Sequence, residues 1–169
     1  MKFNEFYSLT IVHSRDIILV KGVDYMNITK QKSQKTFDKQ AADYDTNIQG
    51  EHARKLYKPI IENLKNKNIH SILDLGCGTG ALLKEIKELN IAEQLFGIDI
   101  SPNMLEIAKN KLGNDATLIL GDSERLPFED SSFDAIVCND SFHHYPQPDI
   151  VEKEVSRCLK QNGVFIIGD

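Results

Sequence analysis

From Ile69 onward, short apolar runs alternate with segments whose apolar residues recur every three or four positions. "IHSILDLG" is β-branched and leucine-rich and ends at an acid, the pattern of a strand buried on both faces. "QLFGIDI", "ATLILGD", "FDAIVCND" and "GVFIIGD" predict four more strands. Between them, "ALLKEIKELN" sets Leu82, Leu83, Ile86 and Leu89 on one helical face. "SPNMLEIAKNKLG" opens with Ser101 as a helix cap and Pro102 at the first helical position, and closes on Gly113. "DIVEKEVSRCLKQNG" turns Ile150, Val151, Val155 and Leu159 inward, with Asn162 and Gly163 suited to a left-handed cap. "SERLPFEDSSFD" is too polar and proline-interrupted for a long helix and reads as a loop. Strands alternating with helices predict parallel strands joined by right-handed crossovers, a doubly wound α/β sheet.

Upstream, "HARKLYKPIIENLKN" carries Leu56, Tyr57, Ile60, Ile61 and Leu64 at helical spacing, with Pro59 expected to kink the helix or start it afresh. "QKTFDKQAADYD" predicts a further helix with Phe37, Ala41 and Tyr44 on one face. Residues 26–68 thus form an amino-terminal helical segment ahead of an α/β domain at 69–169. Residues 1–25 differ: "LTIVHSRDIILVKG" predicts a hairpin with "SRD" near its turn. Two readings stay open, a genuine extension that pairs with a sheet edge, or a natural start at Met26 with non-native residues before it. At the other end the sequence stops at Asp169, right after the fifth predicted strand, and an uncovered edge invites pairing. The expectation is a fragment of a longer protein, or an edge occupied by the amino-terminal hairpin or by a second copy in a homodimer.

Composition narrows the class. The chain has 169 residues, 41% hydrophobic and 27% charged, which suits one ordinary globular domain. A net charge of −5 gives no basic footprint for nucleic acid; Lys30, Lys32, Lys35 and Lys39 cluster locally but read as a solvated face. Cys77, Cys138 and Cys158 are far apart and form no C-x-x-C pair, so neither zinc knuckle nor disulfide framework is expected. The longest apolar run, "IILV", is too short to span a bilayer, and no signal peptide precedes it. Together these features predict a soluble cytoplasmic protein.

In an open α/β sheet, ligands bind outside the carboxyl ends of the strands. Asp74, Asp99, Asp122 and Asn139 each sit at or just past the carboxyl end of a predicted strand, so four elements bring four polar groups to one edge. Beside them "GCGTG" holds Gly76, Gly78 and Gly80, a bare backbone suited to close approach of a ligand. "GCGTGA" also satisfies the loose dinucleotide form G-x-G-x-x-A, with Asp99 about 20 residues beyond it. Asp74, two positions before Gly76, opposes that reading. An acid aimed into the pocket would repel a pyrophosphate but suits ammonium and sulfonium charge.

"LDLGCGTG", "GIDIS", "GDSERLPF" and "CNDSFHHY", in this order and spacing, resemble the successive motifs of class I S-adenosylmethionine-dependent methyltransferases. The nearest resemblance is to the small-molecule methyltransferase group, whose chains often begin with a sequence like "FDKQAADYD", and it covers about Phe37 to Asp169. It implies a Rossmann-like, mostly parallel sheet, S-adenosyl-L-methionine as cofactor and a small-molecule acceptor, with no nucleic-acid or membrane partner. By the same resemblance, Gly76, Gly78 and Gly80 pack against the methionine part of the donor, with Cys77 a small neighbour and not a nucleophile. Asp74 orients the donor's amino end, and Asp99 accepts from both ribose hydroxyls. Ile100 and Met104 sandwich the adenine, or are simply core. Asp122 takes the adenine amine with the Ser123 amide near a ring nitrogen, and Asn139 lines the methionine side. Tyr44 reaches the donor carboxylate, or only packs. The group usually closes its acceptor pocket with a final antiparallel hairpin, which this sequence lacks after Asp169, so an inactive donor-binding or assembly fragment stands as the alternative to an active enzyme. A dinucleotide-dependent oxidoreductase is the third reading.

Methyl transfer from a sulfonium depends mainly on alignment, and a base is needed only if the acceptor must lose a proton. His143 and His144 are the candidates for that catalytic role, with a wall of the donor pocket as the structural alternative. Adjacent histidines also suggest a metal, but spacing offers no third ligand, so none is expected.

Overall fold

In the computed structural model, residues 15–48 and 50–169 are described, with side chains of the first helix from residue 28 onward. Helix α1 (Arg15–Gln40) runs into a 3-10 turn at Ala41–Asp43 and is followed by α2 (Glu51–Leu64). The α/β part is β1 (Ile69–Leu75), α3 (Ala81–Glu88), β2 (Ala92–Asp99), α4 (Pro102–Leu112) and β3 (Ala116–Leu120). It continues with β4 (Phe133–Asn139), a 3-10 turn at Phe142–His144, α5 (Pro148–Cys158) and β5 (Leu159–Gly168). The five strands form one sheet in the order β3-β2-β1-β4-β5, and every pairing is parallel. The expected doubly wound architecture is present.

Strand alternation divides the core into two layers. On one face Ile72, Leu95, Ala135 and Val137 meet Ile60, Ile61 and Leu64 of α2 and Leu82, Leu83 and Ile86 of α3. On the other, Leu73, Leu75, Ile98, Ile136 and Cys138 meet Val151, Val155 and Cys158 of α5. Phe96, Phe128 and Phe133 close that layer with edge-to-face ring contacts at 4.9 to 5.9 Å. The chain winds outward from β1 to β3 and then returns to the opposite side of β1 with β4. The crevice above β1 and β4 is therefore the switch point at which such sheets bind ligands.

Several local expectations change. The hairpin reading of residues 9–22 gives way to α1 from Arg15 onward, while residues 1–14 lie outside the described residues. Pro59 does not restart α2, which is one helix over Glu51–Leu64. Leu89 leaves the buried face of α3 and is 50% exposed at the helix end. Helix α5 ends at Cys158 instead of reaching Asn162, because the loop before β4 captures its last carbonyls: Ser131 N donates to Arg157 O and Ser132 N to Cys158 O. Asn162 does take a left-handed φ of 66°, but at the register shift by which β5 passes from Leu159 opposite Phe133 to Val164 opposite Ala135. Ser101 caps α4 as expected, its Oγ accepting from Met104 N at 3.1 Å.

Candidate functional site

A single cleft lies over the carboxyl ends of β1, β2, β3 and β4, with α1 and α2 on its outer side and about 920 Å3 of space that includes open solvent. Of the residues expected at a ligand site, Tyr44, Asp74, Gly76, Cys77, Gly78, Asp99, Ile100, Met104, Asp122, Ser123, Asn139 and His144 line it. Gly80 and His143 do not. Gly80 (φ 72°) faces α4 instead: a Cβ there would come within 2.9 Å of Leu112 and 3.1 Å of Ala108, so its smallness serves helix packing. His143 turns outward and pairs through Nδ1 with Asp169 Oδ1 at 2.6 Å.

The glycine loop is anchored from below, where Gly76 N and Cys77 N both donate to Ile98 O at 2.9 and 3.1 Å. Gly76 (φ 68°) has no room for a side chain, since a Cβ would sit 2.1 Å from Ser141 Oγ. Gly78 (φ 51°) has nothing within 4 Å of the same position, so its face is open to the cleft that it lines. Cys77 packs against Gly97 of β2, and burial pushes its thiol well above the ordinary range, so it is no thiolate at neutral pH.

Asp74 is 2% exposed, and its Oδ1 is buried with no hydrogen-bond partner; Asn139 Oδ1 shares that condition. Burial, with the nearby Asp99 charge, pushes the Asp74 carboxyl well above its usual range. Asp99 is also buried and raised, first by burial, but it is well partnered: Oδ2 accepts from Gly78 N and Oδ1 from Ser101 N, both at 2.8 Å. That arrangement fixes the carboxylate at the base of the glycine loop.

The amino-terminal segment closes over the cleft through three polar ties that its spacing does not announce. Lys30 Nζ donates to Asp122 Oδ2 at 2.6 Å and to Glu124 Oε2 at 2.5 Å, so Lys30 belongs to the cleft wall and not to a solvated lysine face. Lys32, Lys35 and Lys39 do stay exposed. Asp38 Oδ1 accepts from Ser101 Oγ at 2.5 Å. Asp45 accepts from the buried Thr79 hydroxyl at 2.5 Å and from Lys111 Nζ at 2.7 Å. Phe37, packed edge-on against Tyr44 at 6.4 Å and His144 at 5.1 Å, adds the apolar part. Burial raises the Tyr44 phenol and lowers the His144 imidazole.

In the cleft wall, the Tyr145 hydroxyl accepts from Ser141 Oγ at 2.9 Å and from Ser123 Oγ at 3.2 Å, tying the loop after β4 to the loop after β3. Among the residues missed by sequence, Tyr145 and Ser141 had a signal, lying in the same "CNDSFHHY" run as Asn139. Lys30, Asp38 and Asp45 had none, because their partners are 34 to 94 residues away.

A family model described as a methyltransferase domain matches residues 73–167, more than half of the chain. A demethylmenaquinone methyltransferase of Thermotoga maritima is 34% identical over 142 residues, covering 82% of this chain and 62% of its own. A sterol 4-C-methyltransferase of Caenorhabditis elegans is 35% identical over 125 residues, covering 70% of this chain and 36% of its own. The chain therefore spans about one third to two thirds of the length of these relatives. Among solved structures, the Haloferax volcanii protein in complex with the methyltransferase activator Trm112 superposes with a TM-score of 0.66 at 28% identity, over 76% of this chain and 57% of that one.

Proposed function

The chain belongs to the class I S-adenosylmethionine-dependent methyltransferases, whose cofactor is S-adenosyl-L-methionine, and from that premise we propose that its cleft binds this donor and presents the methyl group to a small-molecule acceptor. The observation that carries the reading is Asp74, a fully buried carboxyl with an unpartnered oxygen in the cleft wall, beside the open backbone of Gly78. A buried acceptor of that kind is costly unless a donor group arrives to satisfy it, and an ammonium does so best. The chemistry of the lining fits such a guest. Asp74, Asp99, Asp122 and Asp140 make the wall acidic, and the one lysine or arginine among its described residues, Lys30, is already shared by two carboxylates. A diphosphate would find no free cation among the described lining residues, which counts against the dinucleotide reading.

When bound, the donor supplies a methyl group on a sulfonium, an activated leaving group. The chain's contribution is then positional. Asp74 holds the amino end, Asp99 receives the ribose hydroxyls on lone pairs that its backbone amide partners leave free, and Ile100 and Met104 flank the base. Asp122 and Ser123 hold the base edge, Asn139 lines the methionine side and Tyr44 reaches the carboxylate. Of the two histidines, His144 is the candidate for proton removal from an acceptor, because it lines the cleft and His143 does not. No described helix is long and apolar enough to cross a membrane, and Cys77, Cys138 and Cys158 are all free and buried, which supports a cytoplasmic setting.

Titration calorimetry of the 169-residue chain with S-adenosylmethionine, S-adenosylhomocysteine and NADH tests the reading. Heat from the first two and none from NADH is expected; the reverse order overturns it. Turnover on a panel of hydroxylated, thiol and amine acceptors then separates an active enzyme from a binding fragment.

A further inference from the structure

At the rim of the cleft, outside the donor contacts, Asp140, His143 and Asp169 bring one ligand atom each within 4.8 Å of one another. They come from three separate places, the residue after β4, the 3-10 turn and the residue after β5. A fourth group braces them: His52 of α2 pairs through Nδ1 with Asp140 Oδ1 at 2.6 Å. We propose that Asp140, His143 and Asp169 form a site for one divalent transition-metal ion of the zinc type, with His52 as the outer partner that orients Asp140.

The donor set selects the class of ion. One imidazole nitrogen with two carboxylate oxygens suits zinc, cobalt, manganese or iron(II), whereas magnesium and calcium prefer oxygen alone. Three protein ligands leave open positions for water or another ligand, as in non-structural sites. The geometry is close to what an ion needs. Ligand atoms around a four-coordinate zinc lie roughly 3.3–3.6 Å apart, given bonds of about 2.0–2.2 Å. Here His143 Nδ1 and Asp169 Oδ1, hydrogen-bonded at 2.6 Å, must open by about 0.7–1.0 Å to admit the ion, and all three ligand atoms lie within 4.8 Å of one another. His143 and Asp169 are partly exposed, and each has the other as its side-chain partner. Asp140 holds a left-handed φ of 52°, a conformation that aspartate and asparagine tolerate better than most residues. His52, hydrogen-bonded to a ligating carboxylate, has the placement that metal sites use to fix their ligands.

The histidine–carboxylate pairs of this protein are not all alike, and that provides the control. His70 and Glu93 pair at 2.8 Å near the amino ends of β1 and β2, with no third ligand among the described residues. If surface histidines merely collect metal, both places should do so.

Isothermal titration of the 169-residue chain with Zn2+, and visible absorption with Co2+, are the readouts, and neither depends on donor binding or turnover. One ion per chain is expected, with Co2+ giving the intense visible bands of a low-coordinate site. Asp140→Asn, His143→Gln and Asp169→Asn should each weaken binding by more than the roughly tenfold loss expected for the brace variant His52→Gln, while His70→Gln leaves it unchanged. Asparagine keeps the backbone preference at 140, and circular dichroism checks that each variant folds. No binding at millimolar ion, or binding equally affected by His70→Gln, overturns the proposal. Separate calorimetry with S-adenosylhomocysteine on the same variants tells failure of this site from failure of the donor cleft.

Discussion

The two ends of the central strand pair β1–β4 hold an aspartate each, and the two are treated in opposite ways. At the amino end, Asp134 accepts from the His70 and Ser71 amides at 3.1 and 2.9 Å, from Ser71 Oγ at 3.1 Å and from Lys160 Nζ at 3.0 Å. Burial alone would raise its pKa, but Lys160 and the Ser71 donors outweigh it and hold the carboxyl at about 2. At the carboxyl end, Asp74 is more deeply buried, leaves an oxygen unpartnered and is pushed well above the usual range. Asp134 is satisfied by the fold and staples β5 to its neighbours. Asp74 Oδ1 finds no partner within the described fold. The contrast sets a structural carboxylate against the one we propose for donor binding, without reference to any relative.

Asp74→Asn is the largest break in that contrast. Losing a charged hydrogen bond to a donor ammonium is worth about 1.5–3 kcal/mol, so binding of S-adenosylmethionine should weaken by roughly ten- to a hundredfold. Stability of the free chain should move the other way. A carboxyl whose folded pKa is raised binds protons more tightly in the native state, so its contribution is full below the unfolded value and is lost as pH rises through the folded one. Removing the titration should therefore raise Tm at neutral and mildly alkaline pH. Calorimetry and thermal melts on one sample read both effects; a variant weaker in both would mean that Asp74 is structural after all.

The glycines give the next largest effect. Gly76→Ala forces a side chain into a left-handed backbone, about 1–2 kcal/mol, and also onto Ser141. Its loss should appear mainly as a lower Tm. Gly78→Ala meets no atom within 4 Å. It should cost the fold only the backbone term, about 1–2 kcal/mol, yet lower donor affinity more than stability, because the methyl enters ligand space. Equal donor affinity in Gly78→Ala and the parent chain would remove Gly78 from the site.

How far these contrasts were readable beforehand depends on the distance over which each is written. The strands, the Ser101–Pro102 start of α4 and the Asp74–Gly76–Gly78 wall are local, coded by apolar runs and turn chemistry within a dozen residues. Residues 15–22 misled because "DIILV" is apolar and β-branched enough to suggest a strand, while the helix there belongs to a much longer segment, Arg15–Gln40. Gly80 shared the loop of Gly76 and Gly78, but its role is set by Leu112 and Ala108, across the packing of α3 and α4. The end of α5 is not legible in the apolar pattern, because the carbonyls of Arg157 and Cys158 are taken by the Ser131 and Ser132 amides, 26 residues earlier in the chain. Long-range hydrogen bonds and ion pairs leave no local pattern to read.

At the amino end a smaller effect is expected. Asp134→Asn should lower stability by about 1 kcal/mol at neutral pH, since its partners are partly exposed, and leave donor affinity unchanged. The sign follows from the depressed pKa: the contribution of Asp134 is present above its unfolded value near 3.8 and is lost as pH falls through about 2. The parent chain should thus lose stability more steeply than the variant between about pH 4 and pH 2. Parallel acid titrations of Tm in the two proteins would deny Asp134 its role.

The smallest effect sits where the two behaviours meet, at Asp122, a carboxyl-end acid that already has a partner. Lys30 is only 19% exposed and bridges Asp122 and Glu124, so an adenine edge held by Asp122, as we propose, would share it with an ammonium. Lys30→Met keeps the apolar stem that packs over the cleft and removes the charge. Freed of its competitor, Asp122 should bind the base slightly better, a gain of less than about threefold, equivalent to the ~0.5 kcal/mol of a partly exposed pair. Glu124 remains held by Gln147 through its side-chain and backbone nitrogens, so the loop should not collapse. Salt gives the sharper readout. Raising ionic strength screens the Lys30 bridge in the parent chain and should bring its donor affinity toward that of the variant, whose own affinity changes less. If Lys30→Met weakens donor binding at every salt concentration, Lys30 is a direct part of the donor site and Asp122 belongs with the satisfied carboxylates, on the side of Asp134.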